Sequence, residues 1–133
     1  MKTRDNIYAA TYVEQENSLL IQEWKSATEK MKDSDYKAEL VFYKDTILSL
    51  HLEKALIDTK NFRFVISPDL QNWVDTQIAF FTNKIVKKIA FVMPEEIFAE
   101  VSIQQTMEEE EATKYINTVF FENRDLALEW LLK

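Results

Sequence analysis

Few side chains in this sequence have the type and spacing to do chemistry. His51 is the sole histidine, so any Ser-His-Asp relay must run through it, and no second histidine can complete a familiar metal site. It falls near the end of a helical pattern, where an imidazole complements the negative end of the helix dipole; that packing role is the expected one. Asp58 and Thr59 stand at the C-terminal end of a buried strand, the edge at which open α/β sheets bind ligands. Asp58 could orient a ligand or cap a neighbouring turn. Holding the next loop is the expected role, because aspartate readily accepts bonds from the amides just ahead of it. Asn61 and Arg63 lie in that loop, and Ser67 and Trp73 follow it at a helix start. Glu108 to Glu111 suggests calcium, yet consecutive helical residues point about 100° apart and cannot converge on one ion. A calcium loop would also need a glycine turn, so a solvated helix end is expected there. Lys84, Lys87 and Lys88 form the one dense basic patch, a possible phosphate site whose expected role is an ordinary solvated edge. Phe62, Phe64, Trp73, Phe80, Phe81 and Phe91 could line an apolar ligand cavity, although aromatics at such spacing more often fill a core.

These residues must be positioned by the elements around them. Ile7 to Glu14 and Leu19 to Trp24 read as two strands around a polar turn, with Asn17 expected at positive φ. Tyr36, Leu40, Tyr43, Ile47 and Leu50 recur at steps of four and three, which is one helical face, and Asp33, Ser34 and Asp35 suit its N-terminus. Lys54 to Asp58 reads as a short buried strand, and the connection from Thr59 to Ile66 is long enough to form a rim or pocket. Ser67-Pro68-Asp69 then marks a second helix start, with Leu70, Val74, Ile78 and Phe81 as its buried face. Ile89 to Met93 is apolar throughout, as central parallel strands are. A third helix is expected from Pro94 towards Glu111 and a strand from Tyr115 to Phe121. Asn123-Arg124-Asp125 caps a last helix with Leu126, Trp130 and Leu131 on one side. The order predicts an α/β domain spanning residues 1–133: one mixed, largely parallel sheet of about five strands, an N-terminal hairpin followed by strand–helix repeats, with about four helices.

Composition excludes more than it selects. There is no Gly, so no Walker loop or GxGxxG turn can be written, and no Cys, so there is no disulfide, thiolate nucleophile or Cys-ligated metal. The net charge of −7 disfavours nucleic acid and anionic lipid as partners. The longest apolar run, Ile89 to Met93, is far short of a membrane span of about 20 residues, and no signal-like segment follows Met1; a cytoplasmic protein is expected.

The order of elements, together with Trp24, Asp35-Tyr36-Lys37-Ala38-Glu39, Leu56-Ile57-Asp58-Thr59, Gln71-Asn72-Trp73 and Ala127-Leu128-Glu129-Trp130-Leu131, resembles the bacterial SpoIIAA-like domains of STAS/SEC14 type. The resemblance spans nearly the whole chain and rests mostly on core and cap positions. It implies a STAS-like fold and a non-enzymatic regulatory or ligand-binding domain without cofactor. Members that act as anti-sigma-factor antagonists carry a phosphorylated serine in an Asp-Ser-Ser-Gly stretch at a helix N-terminus. The similar place here reads Ile66-Ser67-Pro68-Asp69, without the glycine and with proline at the modified position. Ser67 is therefore expected as a helix cap, with a phospho-switch as the alternative.

Two functional classes follow. One is a regulatory module that presents a helix edge and the strand-end loops to a protein partner. The other is a carrier or sensor of a small apolar molecule held between sheet and helices. Candidate contact residues for either are Asp58, Thr59, Asn61, Arg63, Ser67 and Trp73. An enzyme using Asp58 or Glu122 has no positive support in the sequence.

Overall fold

The computed structural model describes residues 1–94, 96–97 and 117–133. Within them lies one six-stranded sheet whose spatial order follows the chain order. The strands are β1 (Lys2–Asp5), β2 (Ala9–Glu14), β3 (Leu19–Trp24), β4 (Lys54–Asp58), β5 (Lys88–Val92) and β6 (Asn117–Phe121). The first three form an antiparallel meander, and β3 to β6 are parallel. Three helices accompany them: α1 (Asp33–Leu50), α2 (Pro68–Val74) and α3 (Arg124–Leu131). A π-helical turn at Asp75–Ala79 and a last helical turn at Phe80–Thr82 prolong α2. The expected helix after Pro94, and with it Glu108 to Glu111, lies outside the described residues apart from Glu96 and Ile97.

The period of two along each strand sorts side chains between the two faces. Leu20, Trp24, Ala55, Ile57, Ile89 and Phe91 face α1 and α2, where they meet Tyr36, Leu40, Tyr43, Ile47, Leu70 and Ile78. Leu19, Ile21, Leu56, Ala90 and Val92 take the opposite face and pack with Ala127 and Leu131 of α3. Strands β3 to β5 are thus apolar on both sides, as parallel strands covered on both faces must be.

Helix starts follow the expected chemistry. Ser67 Oγ accepts a bond from Leu70 N–H at 3.2 Å, with Pro68 in the first helical position, and Asn123 Oδ1 accepts from Leu126 N–H at 2.9 Å. In α1 the Asp35 carboxylate accepts from Lys32 N–H at 3.0 Å.

Several local expectations are corrected. Strand β1 is additional; its Lys-Thr-Arg-Asp sequence is polar because it is an edge, and a register shift between Lys2 and Arg4 bends it. Positive φ falls on Ser18 rather than Asn17, and on His51, which ends α1. Ser18 takes that conformation because its backbone and hydroxyl bind the α1–β4 turn. Its Oγ accepts from Glu53 N–H at 2.9 Å, and its carbonyl accepts from Lys54 N–H at 2.9 Å. Leu50, Phe81 and Leu126 are exposed, so the buried stripe of each helix ends earlier or sits further round than the pattern suggests. On α3 that stripe is Ala127 and Leu131. No helix among the described residues is long and apolar enough to cross a membrane.

Candidate functional site

The chain leaves a cavity of about 300 Å³ unfilled by its own side chains, between the sheet and the helices α1 and α2. This falls at the lower end of the range of small-molecule pockets, about 300–1,000 Å³. Its floor is sheet. The register aligns Gln22 with Ile57 and Ile57 with Phe91, so one residue from each of β3, β4 and β5 forms a row under it. Tyr36, Leu40 and Tyr43 of α1 form one wall, successive turns of one helical face. Val74, Ile78 and Ala79 form another, and two of these sit within the π-helical turn. Such turns interrupt the regular ladder and recur at functional sites.

The Thr59–Ile66 connection closes one end. Its side chains alternate: Phe62, Phe64 and Ile66 pack against the core, while Asn61, Arg63 and Val65 face solvent. Arg63 N–H donates to Thr28 Oγ1 at 2.8 Å, which fixes the loop to a buried threonine. Trp24 meets Phe62 edge-on at 5.1 Å and stacks on Tyr36 at 5.7 Å, and Phe64 stacks on Tyr36 from beyond at 5.2 Å. Gln71 and Asn83 line the cavity and are also exposed, so they mark its edge.

The cavity wall is almost wholly apolar, and no charged side chain among the described residues lines it. Its most unusual member is Gln22, which is 2% exposed and whose Nε2 has no hydrogen-bond partner. Burial alone pushes the Tyr36 phenol up to about 12 and that of Tyr43 further up, so both stay protonated and can donate.

The expected contact residues are dispersed around this site. Thr59 lines the cavity, and its Oγ1 donates to the Val92 carbonyl at 2.8 Å. Asp58 shares a parity with Leu56 and so takes the opposite face. There its Oδ1 accepts from Lys60 N–H at 3.1 Å and its Oδ2 lies 3.9 Å from Arg124, which pairs with Glu23 at 2.7 Å. Asn61 and Arg63 point to solvent, and Ser67 caps α2. Trp73 packs at the margin of the core with the Lys37 ammonium 5.2 Å from its ring, outside the cavity lining. Of the aromatic residues that could have lined a pocket, Phe62 and Phe91 do so; Phe80 and Phe81 are exposed beside Lys84 and Lys44. Of the basic patch, Lys87 pairs with Glu53 at 3.2 Å and Lys88 lies over the Trp130 ring.

The residues that sequence reasoning missed are Gln22 and the Tyr36–Tyr43 wall. Gln22 carried a signal, since it shares the strand parity of Leu20 and Trp24 and therefore had to be a polar group inside. The two tyrosines were legible as buried, but nothing in a periodic stripe separates a cavity wall from filled core. No group of three or more His, Asp or Glu among the described residues could hold a metal ion. Comparison with protein families, with curated proteins and with solved structures finds no match to the chain, so the α/β fold and this cavity are what the functional reading has to stand on.

Proposed function

We propose that this is a non-enzymatic carrier or sensor that holds a small, largely apolar molecule between its sheet and the helices α1 and α2. The observation that carries this reading is the cavity itself. About 300 Å³ between the sheet and the helices, open to solvent on one side and lined almost wholly by apolar side chains, is left unfilled by the chain, in the size range of small-molecule pockets. The chain leaves this space apolar and open while Phe80, Phe81 and Val65 are exposed elsewhere, so apolar side chains are not in short supply. A kinship with STAS/SEC14-type domains, supported by the residue pattern and the mixed sheet, fits the same reading. A cytoplasmic setting is supported by the absence of cysteine.

Native mass spectrometry of freshly purified protein tests this, beside its denatured mass and beside Ala79→Phe, which places a ring in the cavity. Wild type should carry a non-covalent adduct that disappears on denaturation and is lost in the variant. A bare wild-type chain, or the same adduct on both proteins, would count against a ligand in the cavity.

The second reading is a regulatory module that binds a protein partner. One feature favours it: Phe80, 59% exposed, and Phe81 meet edge-on at 5.3 Å on the surface, with the Lys84 ammonium over both rings. Replacing both phenylalanines with serine should leave the adduct intact and remove partner binding on this second reading.

A further inference from the structure

We infer that Gln22 is the polar recognition residue of the cavity, and that its ligand is an uncharged, largely apolar molecule carrying a hydrogen-bond acceptor. The inference rests on the carrier or sensor reading and deepens it. Gln22 Nε2 is the one buried side-chain polar atom among the described residues with no partner. A buried amide left without a partner is a cost to the fold. Buried hydroxyls elsewhere in the chain have such partners. Thr28 Oγ1 donates to the Lys25 carbonyl and accepts from Arg63 N–H, both at 2.8 Å, and Thr46 Oγ1 donates to the Phe42 carbonyl at 2.8 Å. Gln22 Nε2 has no such partner, and Gln22 lies in the cavity floor beside Ile57.

Charge and size narrow the ligand further. With no charged side chain among the described lining residues, a buried carboxylate, phosphate or ammonium would lose its hydration without a counter-ion, which costs far more than an amide bond returns. Tyr36 and Tyr43 stand in the wall with neutral phenols that make no hydrogen bond among the described residues, so each offers an O–H beside the Gln22 amide N–H. A ligand acceptor such as a ring nitrogen or carbonyl oxygen matches them. The volume of about 300 Å³ is twice the roughly 150 Å³ that suffices for benzene, so a fused pair of rings fits.

The experiment uses three probes of one shape on the full chain: naphthalene, quinoline, which adds one acceptor nitrogen, and 2-naphthoate, which adds a charge. Each is titrated by NMR shift perturbation into wild type and Gln22→Leu. Naphthalene should bind both proteins, which also reports that the variant is folded. The ratio of quinoline to naphthalene affinity should fall about tenfold in the variant, as one lost hydrogen bond implies. 2-Naphthoate should bind wild type at least tenfold more weakly than naphthalene. An unchanged ratio overturns the role of Gln22, and tight naphthoate binding overturns the uncharged class. If neither naphthalene nor quinoline binds wild type, the cavity reading falls and this inference falls with it.

Discussion

Two polar side chains, Glu39 and Gln22, are buried to the same extent, each 2% exposed, and the chain treats them in opposite ways. Glu39 sits on α1 facing the N-terminal hairpin. Arg4 Nε donates to both of its oxygens, at 3.1 and 2.9 Å, and Asn6 Nδ2 donates to one of them. Asn6 is itself held, since its Oδ1 accepts from the backbone N–H groups of Tyr8 and Ala9 and its carbonyl accepts from Lys25 Nζ. Glu39 is therefore a clasp between β1 and α1. Gln22, on the neighbouring strand system, has the same burial and an unpartnered Nε2. A polar group serving the fold is surrounded by the chain's own donors and acceptors. The Gln22 amide lacks such partners, and the proposed recognition role is what would supply one.

The comparison can be broken or sharpened by substitution, the largest effect first. Arg4→Ala leaves the Glu39 carboxylate buried without its cation and should cost about 3 kcal/mol in chemical denaturation. Arg4→Met combined with Glu39→Leu should recover most of that loss, because both charges are then gone. A loss below about 0.5 kcal/mol for Arg4→Ala would mean the clasp is no more than a surface pair. Gln22→Leu has the opposite sign: removing an unpartnered amide should stabilise the ligand-free protein by about 1–2 kcal/mol. Destabilisation of that size would show that the amide does serve the fold.

The pH dependence of stability comes next. Below pH 10 the Tyr36 phenol is protonated in both states. Above it the unfolded phenol ionises while the buried one stays protonated until about 12, so stability is lost as pH rises through this window. The loss should approach about 1.4 kcal/mol per pH unit, and Tyr36→Phe should remove that share of the slope. The smallest effect sets a scale for the rest. His51 holds φ at 51° without being glycine, so His51→Gly should raise stability by about 1 kcal/mol in the same denaturation assay.

Much of the fold was legible because the signals were local. The Ser67-Pro68-Asp69 start, the Asn123 cap and the apolar Ile89–Val92 run each specify an element from a few neighbouring residues. Strand β1 was not, because an edge strand with polar residues on both sides has no apolar alternation to read. The shift of positive φ from Asn17 to Ser18 depended on contacts with Glu53 and Lys54, more than thirty residues away. The site was legible only in fragments. Thr59, Phe62 and Phe91 were expected near a pocket and line it, whereas Asp58 and Trp73 do not. Asp58 is separated from the cavity by strand parity alone, one position beyond Ile57. The volume between α1, α2 and the sheet depends on how far the helices stand from the strands, and no sequence period encodes that distance.

The most direct test of the central claim is an isotope-edited NOE spectrum of the full chain saturated with quinoline. Cross-peaks from the ring protons to the Gln22 side-chain amide and to Ile57 and Phe91 would place the probe on the cavity floor, as expected here. Cross-peaks confined to the exposed rings of Phe80 and Phe81 would contradict the account and turn attention to that surface.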